Sequence, residues 1–257
     1  MDKLEQLGSA HEAFSDLLHA IDPRVLIAIV CAAAGIAVPK IVKAKYRNPR
    51  IEIPGLSKRA RKPFVDLVYT TVAADGRVEV WILEIELSFD LAKIRRWALY
   101  EIALEHEHQA TAARLAVFSP EPNLRGRIRT QILPRMKTDP VLIEPDQIER
   151  ITDYEEGRRR PELTILGCLF HAQPTAPFEQ CVEVFRAAWM AIQSRAETPA
   201  LRYSVAVMSI VPKAVVEQGV AELRESGELD EEQWELERWY AAAKSVSAEL
   251  VDPLLAS

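Results

Sequence analysis

Glu79–Asp90, EVWILEIELSFD, is the stretch on which the fold turns, because it places two carboxylates, Glu84 and Glu86, in an otherwise apolar run. Side chains two apart on a strand share a face, so the spacing predicts that these acids stand side by side. Burying a carboxylate without a partner costs several kcal/mol or more, so a cation, a hydrogen-bond network or solvent must receive the pair. A metal-dependent active site meets that requirement. An edge strand with one wet polar face meets it equally well.

Upstream, Phe64–Val72 (FVDLVYTTV) is rich in β-branched and aromatic residues, as is Val78–Leu87, and Asp75-Gly76 between them is a favoured hairpin turn. The two runs predict an antiparallel pair with Asp66 on the first strand and Glu84 and Glu86 late on the second. Downstream, Asp90 is a good N-cap for one uninterrupted helix from Leu91 to His108. Leu91, Ile94, Ala98 and Ile102 predict its apolar stripe, while Lys93, Trp97 and Tyr100 recur on another side. Ala113–Phe118 reads as a third strand, Asn123–Arg135 as a basic amphipathic helix and Val141–Glu144 as a short fourth strand. Strands alternating with helices in this way imply a crossover, and hence an α/β fold with a mixed central sheet flanked by helices.

At the N-terminal end, His11–Ala20 and Pro23–Ala34 read as helices, with Asp22 capping the second. The apolar run Val25–Val38 falls short of the ~18–20 residues needed to span a bilayer. The acidic residues ahead of it argue against a signal peptide. From Thr152 onward the pattern is helical: Asp153–Arg159, Pro161–Ala172, Pro177–Ser194, Pro199–Val211, Lys213–Ser226 and Asp230–Leu250. The expected organisation is N-terminal helices and a basic connector over 1–62, an α/β core over 63–150 and a helical region over 151–257.

Of the 257 residues 49% are hydrophobic, enough to bury a real core. The three cysteines, Cys31, Cys168 and Cys181, have no metal-ligand spacing and suggest no disulfide framework, which fits a reducing cytoplasm. A net charge of −6 does not advertise a nucleic-acid binder, yet the charge is uneven. Lys40, Lys43, Lys45, Arg47, Arg50, Lys58, Arg59, Arg61 and Lys62 cluster against the single acid Glu52, whereas Glu217–Glu237 is strongly acidic. The basic run reads as a phosphate-facing segment or as a solvated connector with little regular structure. His106 and His108 diverge on a helix and cannot readily share a metal. No Gly-rich phosphate loop or Ser-His-Asp arrangement is readable.

An Asp on one strand and an acid pair on its hairpin partner can converge on a divalent cation such as Mg²⁺, which takes carboxylate oxygens and keeps waters. Asp66 and Glu84 would then be ligands, with Lys93 supplying positive charge near a phosphate. Asp66 could alternatively pair with one of the many arginines. Phe64-Val65-Asp66-Leu67-Val68, then Glu84-Ile85-Glu86-Leu87 with Asp90, Lys93, Arg96, Trp97 and Tyr100, resembles the PD-(D/E)XK nuclease superfamily. The likeness is to the branch of recombination-promoting nucleases and related transposase proteins. It continues through Leu115–Phe118 with Ser119-Pro120, Ile148–Asp153 and Arg160-Pro161-Glu162-Leu163, and covers roughly residues 9–172.

The resemblance implies a restriction-endonuclease-like core and Mg²⁺- or Mn²⁺-dependent cleavage of DNA. Asp66 and Glu84 match its metal-binding acids, Glu86 stands as a third ligand, and Lys93 is an electrostatic helper. Glu12, Arg96 and Tyr100 are auxiliary positions, and Lys40, Lys43, Lys45, Lys58, Arg59, Arg61 and Lys62 are candidate DNA contacts. One departure is chemical. Glu86 stands where the superfamily has Lys or Gln, replacing a cation or a neutral amide by a third carboxylate. The rival expectation is a non-catalytic member of the same fold, whose helical tail binds a protein partner or a second copy of the chain. RNA remains a third expectation, since the acids do not distinguish the sugar.

Overall fold

The computed structural model describes residues 10–51, 65–135 and 139–229. Lys58, Arg59, Arg61, Lys62 and the helix expected over 230–250 lie outside the described residues. The chain divides into two compact units: Ile21–Gln147, and residues 10–20 together with 148–229.

The first unit is a five-stranded mixed sheet with helices. Its elements in chain order are α2 (Pro23–Ala34), β1 (Ile41–Arg47), β2 (Leu67–Ala73), β3 (Val78–Ile85), α3 (Leu91–Ile94), α4 (Trp97–His108), β4 (Ala112–Phe118), α5 (Pro122–Arg127) and β5 (Val141–Ile143). The strands lie in sequence order, β1-β2-β3-β4-β5. β1, β2 and β3 form an antiparallel meander, and β3, β4 and β5 run parallel. The β2–β3 turn is the expected one: Gly76 adopts φ +85°, and Asp75 Oδ1 accepts from Arg77 N at 3.1 Å.

β3 is therefore central, and both its faces are buried from Glu79 to Ile85. Val80, Ile82 and Glu84 lie on one face, where Val80 and Ile82 join Val68, Leu115 and Val117 under Ile94, Trp97, Tyr100, Ala103 and Leu104. Trp81, Leu83 and Ile85 lie on the other, which α2 covers with Leu26, Ile27, Val30 and Cys31. The wet edge-strand expectation for this run is thus overturned by strand order.

Three local readings need correction. The connector after Pro39 contains a strand, β1, whose Lys43, Lys45 and Arg47 alternate with Ala44 and Tyr46. Arg47 Nε donates to Thr70 Oγ1 at 2.8 Å and Tyr46 packs edge-on against Tyr69, which fixes the strand on its partner. The helix expected over 91–108 breaks at Arg95-Arg96, where Arg96 N bonds Lys93 O at 2.9 Å and Leu99 N bonds Arg96 O at 2.9 Å, tightening the turn. Arg96 Nε caps the freed Ala92 O at 3.1 Å. The buried side of α4 is Trp97, Tyr100, Ala103 and Leu104, whereas Leu91 and Ile102 of the expected stripe are exposed. The helix expected over 123–135 starts at Pro122 under a Glu121 cap and loosens into a π turn at Ile128–Ile132, where Thr130 Oγ1 bonds Gly126 O at 2.8 Å.

The second unit is helical among its described residues: α1 (Ala10–Ala20), α6 (Tyr154–Arg159), α7 (Pro161–His171), α8 (Phe178–Gln193), α9 (Glu197–Ile210) and α10 (Lys213–Glu225). Asp16 on α1 pairs with Arg202 on α9. Close approach sets two glycines. A β-carbon at Gly167 would lie 2.7 Å from Glu149 O, and one at Gly219 would run into the Phe185 ring. Trp189 stacks on Phe185 at 5.8 Å, packing within the unit. No single helix among the described residues is long and apolar enough to cross a membrane.

Candidate active site

Asp66, Glu84, Glu86 and Lys93 meet at one end of the sheet, delivered by three different segments. Asp66 lies in the bend before β2 rather than on the strand, and its Oδ2 accepts from Ile85 N at 2.6 Å. That bond extends the β2–β3 pairing by a side chain, which aims the carboxylate across the hairpin at Glu84. Glu84 closes β3 on the α4 face and is fully buried. Glu86 is the residue after the last of β3, and its N–H bonds Phe118 O of β4 at 3.0 Å, which continues the β3–β4 pairing and brings both acids to the same side of the chain at Lys93. Lys93 comes from α3, whose first turn is fixed by Asp90 Oδ1 accepting from Ala92 N at 2.8 Å and from Lys93 N at 3.0 Å.

The ammonium of Lys93 is the hub. Its Nζ lies 2.7 Å from Glu84 Oε2, 3.0 Å from Glu86 Oε1 and 3.1 Å from Asp66 Oδ2, and it donates to Ile85 O at 3.2 Å. Side-chain exposure is 0% for Glu84, 4% for Glu86, 11% for Asp66 and 17% for Lys93, so these charges see little bulk water. Three carboxylates share one ammonium. Burial, then the neighbouring Asp66, raises the Glu84 pKa well above the usual carboxylate value against the pull of Lys93. Burial alone would depress the Lys93 pKa, but Glu84, Asp66 and Glu86 outweigh it and raise it. Tyr100 shares this field: burial first, then Glu84, pushes its phenol up to about 12.

The donor chemistry fits a hard divalent cation. All three side chains offer carboxylate oxygens, and Glu84 Oε1 finds no hydrogen-bond donor among the described residues. As they stand around Nζ, no three His, Cys, Asp or Glu side chains among the described residues form a ready metal cage. Asp66 pairs with Lys93 Nζ at 3.1 Å.

The remaining sequence candidates separate. Tyr100 is buried at the cluster, and Arg96 spends its Nε on Ala92 O. Glu12 belongs to α1 in the helical unit. Lys40, Lys43 and Lys45 are exposed, and the pairing of Lys43 with Val72 and Lys45 with Thr70 puts the latter two on the sheet face that carries Glu84. Two arginines of α5 brace segments that follow β3 and β4. Arg127 lies over the Phe89 ring at 3.9 Å, beside the loop between Glu86 and α3. Buried Arg125 donates through Nη1 to Ser119 O at 2.7 Å and Pro120 O at 2.5 Å, and its Nε lies 3.3 Å from Glu144. The basic spacing of 125, 127 and 129 was visible; which of them turned inward was not.

Comparison of the chain with models of protein families, with curated proteins and with solved structures gave no match.

Proposed function

We propose that this protein is a metal-dependent phosphodiesterase acting on DNA, with a restriction-endonuclease-like core of the PD-(D/E)XK class. The observation that carries the reading is the convergence of Asp66, Glu84, Glu86 and Lys93 on one point at the carboxyl ends of the parallel strands β3 and β4. The mixed strand order, with a meander followed by parallel crossovers, supports the same reading. Asp66, Glu84 and Glu86 would hold Mg²⁺ or Mn²⁺, which when bound supplies an activated water and neutralises charge on the scissile phosphate. Lys93 holds positive charge beside the acids, Tyr100 closes the cluster from the helix side, and exposed Lys43 and Lys45 on the Glu84 face offer phosphate contacts. Arg127, stacked on Phe89, adds a cation next to the site loop.

Plasmid DNA incubated with the purified protein and Mg²⁺ or Mn²⁺ tests this. Cleavage is expected, and Asp66→Ala or Glu84→Ala should lower it by about two to three orders of magnitude, the scale of losing a charge-stabilising group. No cleavage, or cleavage indifferent to both substitutions, refutes it. The same assay on single-stranded RNA separates the two sugars.

A second reading has its own observation. Glu86 occupies the usual Lys or Gln position and the cluster is almost fully buried, which favours a non-catalytic member of the class that binds a protein partner or a second copy through its helical region. Metal-independent DNA or protein binding with no cleavage would select it.

A further inference from the structure

We propose that Lys93 is the resident counter-cation of the acid cluster and that a divalent metal enters only by displacing its ammonium, so that Lys93 sets the metal affinity of the site. The inference rests on the metal-site reading above. Its basis is positional. Nζ lies between 2.7 and 3.1 Å from one oxygen of each of Glu84, Glu86 and Asp66, and 3.2 Å from Ile85 O. A Mg²⁺ sharing these carboxylates would sit about 2.1 Å from its oxygens, in the space that the ammonium fills. Two cations cannot share one centre, since like charges a few ångströms apart in a poorly solvated site repel strongly.

The cluster also shows why the exchange is feasible in both directions. Lys93 Nζ meets one oxygen of each of the three acids, and Glu84 Oε1 lacks a donor among the described residues. A divalent ion balances more of the acids' charge than the ammonium does. Lys93 is the most exposed of the four side chains, at 17%. Its stem is long and flexible, and it projects from a single helical turn held at its start by Asp90. The ammonium therefore acts as a plug: it keeps the acids folded without metal, and metal affinity is reduced by the fraction of time the plug is in place. If the lysine is withdrawn in about 1–10% of molecules, the apparent Kd is weakened roughly 10- to 100-fold.

Two measurements on the full chain test this. The first is calorimetric titration of Mn²⁺ into wild type, Lys93→Met and Glu84→Gln. Lys93→Met should bind at least tenfold more tightly than wild type, and Glu84→Gln more weakly. Lys93→Met should also melt lower in EDTA and recover most of that loss on adding Mn²⁺. Equal or weaker binding by a folded Lys93→Met overturns the plug while leaving the metal site standing. No binding by either protein overturns the metal site and the plug together.

The second measurement uses wild type and is independent of how the variants fold. Amine acetylation read by peptide mass spectrometry should find Lys93 protected in EDTA and labelled several-fold faster with saturating Mn²⁺, against exposed Lys43 and Lys45 as unchanged references. Unchanged labelling of Lys93 while Mn²⁺ is bound overturns displacement.

Discussion

Replacing Glu84 by Gln should stabilise the metal-free protein at neutral pH while abolishing cleavage. The side chain is fully buried, and Gln keeps its shape. With Gln, two carboxylates rather than three surround Lys93, whose Nζ still has Asp66 at 3.1 Å and Glu86 at 3.0 Å. No buried cation is stranded. Burial and Asp66 raise the native pKa of Glu84 well above 4.5, so between pH 4.5 and that value the folded chain holds a proton the unfolded chain has lost. Stability from this group is then fully present below about pH 4.5 and falls as pH rises toward the native pKa. Each unit of elevation amounts to about 1.4 kcal/mol lost above the native pKa. Gln does not titrate and lacks that loss.

Thermal melts in EDTA from pH 5 to pH 8 read the difference. The two proteins should melt together near pH 5, and Glu84→Gln should melt higher at pH 8 by about 2–4 °C for each kcal/mol, the scaling for a chain of this size. If Glu84→Gln instead loses about 3–5 kcal/mol at pH 8, the cost of breaking a needed buried ion pair, Glu84 is held ionised by Lys93 and the reasoning fails. Parallel pH profiles for the two proteins would refute it as well. A variant more stable and inactive marks a residue kept for chemistry at the expense of the fold.

Asp90→Ala removes the acceptor of Ala92 N and Lys93 N, so it should cost about 1 kcal/mol and reduce cleavage by loosening α3, checked by melts alongside the plasmid assay. Arg125→Ala strands Ser119 O and Pro120 O near the end of β4 and should cost about 2–3 kcal/mol in urea unfolding. Gly167→Ala should cost about 1–3 kcal/mol, because its β-carbon would meet backbone at 2.7 Å, while Gly126→Ala, with nothing within 4 Å, should be close to neutral. Equal effects from the two glycine substitutions would contradict the close approach.

Much of the site was legible because its parts are local patterns. The β-branched and aromatic run Val78–Ile85, the Asp75-Gly76 turn and the Asp90 cap all act within a few residues, so strand, hairpin and helix start could be read directly. The sequence set Lys93, Trp97 and Tyr100 on a side apart from the apolar stripe, and it is Trp97 and Tyr100 together with Ile94 of that stripe that are buried, while Leu91 and Ile102 are exposed. β1 was hidden because its Lys43, Lys45 and Arg47 alternate in a segment framed by prolines, where basic composition masks a period of two. The break at Arg95-Arg96 carries no Gly or Pro signal, since an arginine side chain caps the freed carbonyl.

The sequence by itself determined the chemistry at hand: three acids and a lysine, their spacing, and the strands and helix that bear them. Only the tertiary structure decided that β3 is central, which removes water from Glu84, and that Asp66, Glu84 and Glu86 all close on Lys93 Nζ. Periodicity is a property of neighbours along the chain. Burial and charge partnership depend on which strands pair and on where a crossover returns, and so the ammonium at the centre of three carboxylates could be foreseen as a helper but not as the group that holds their place.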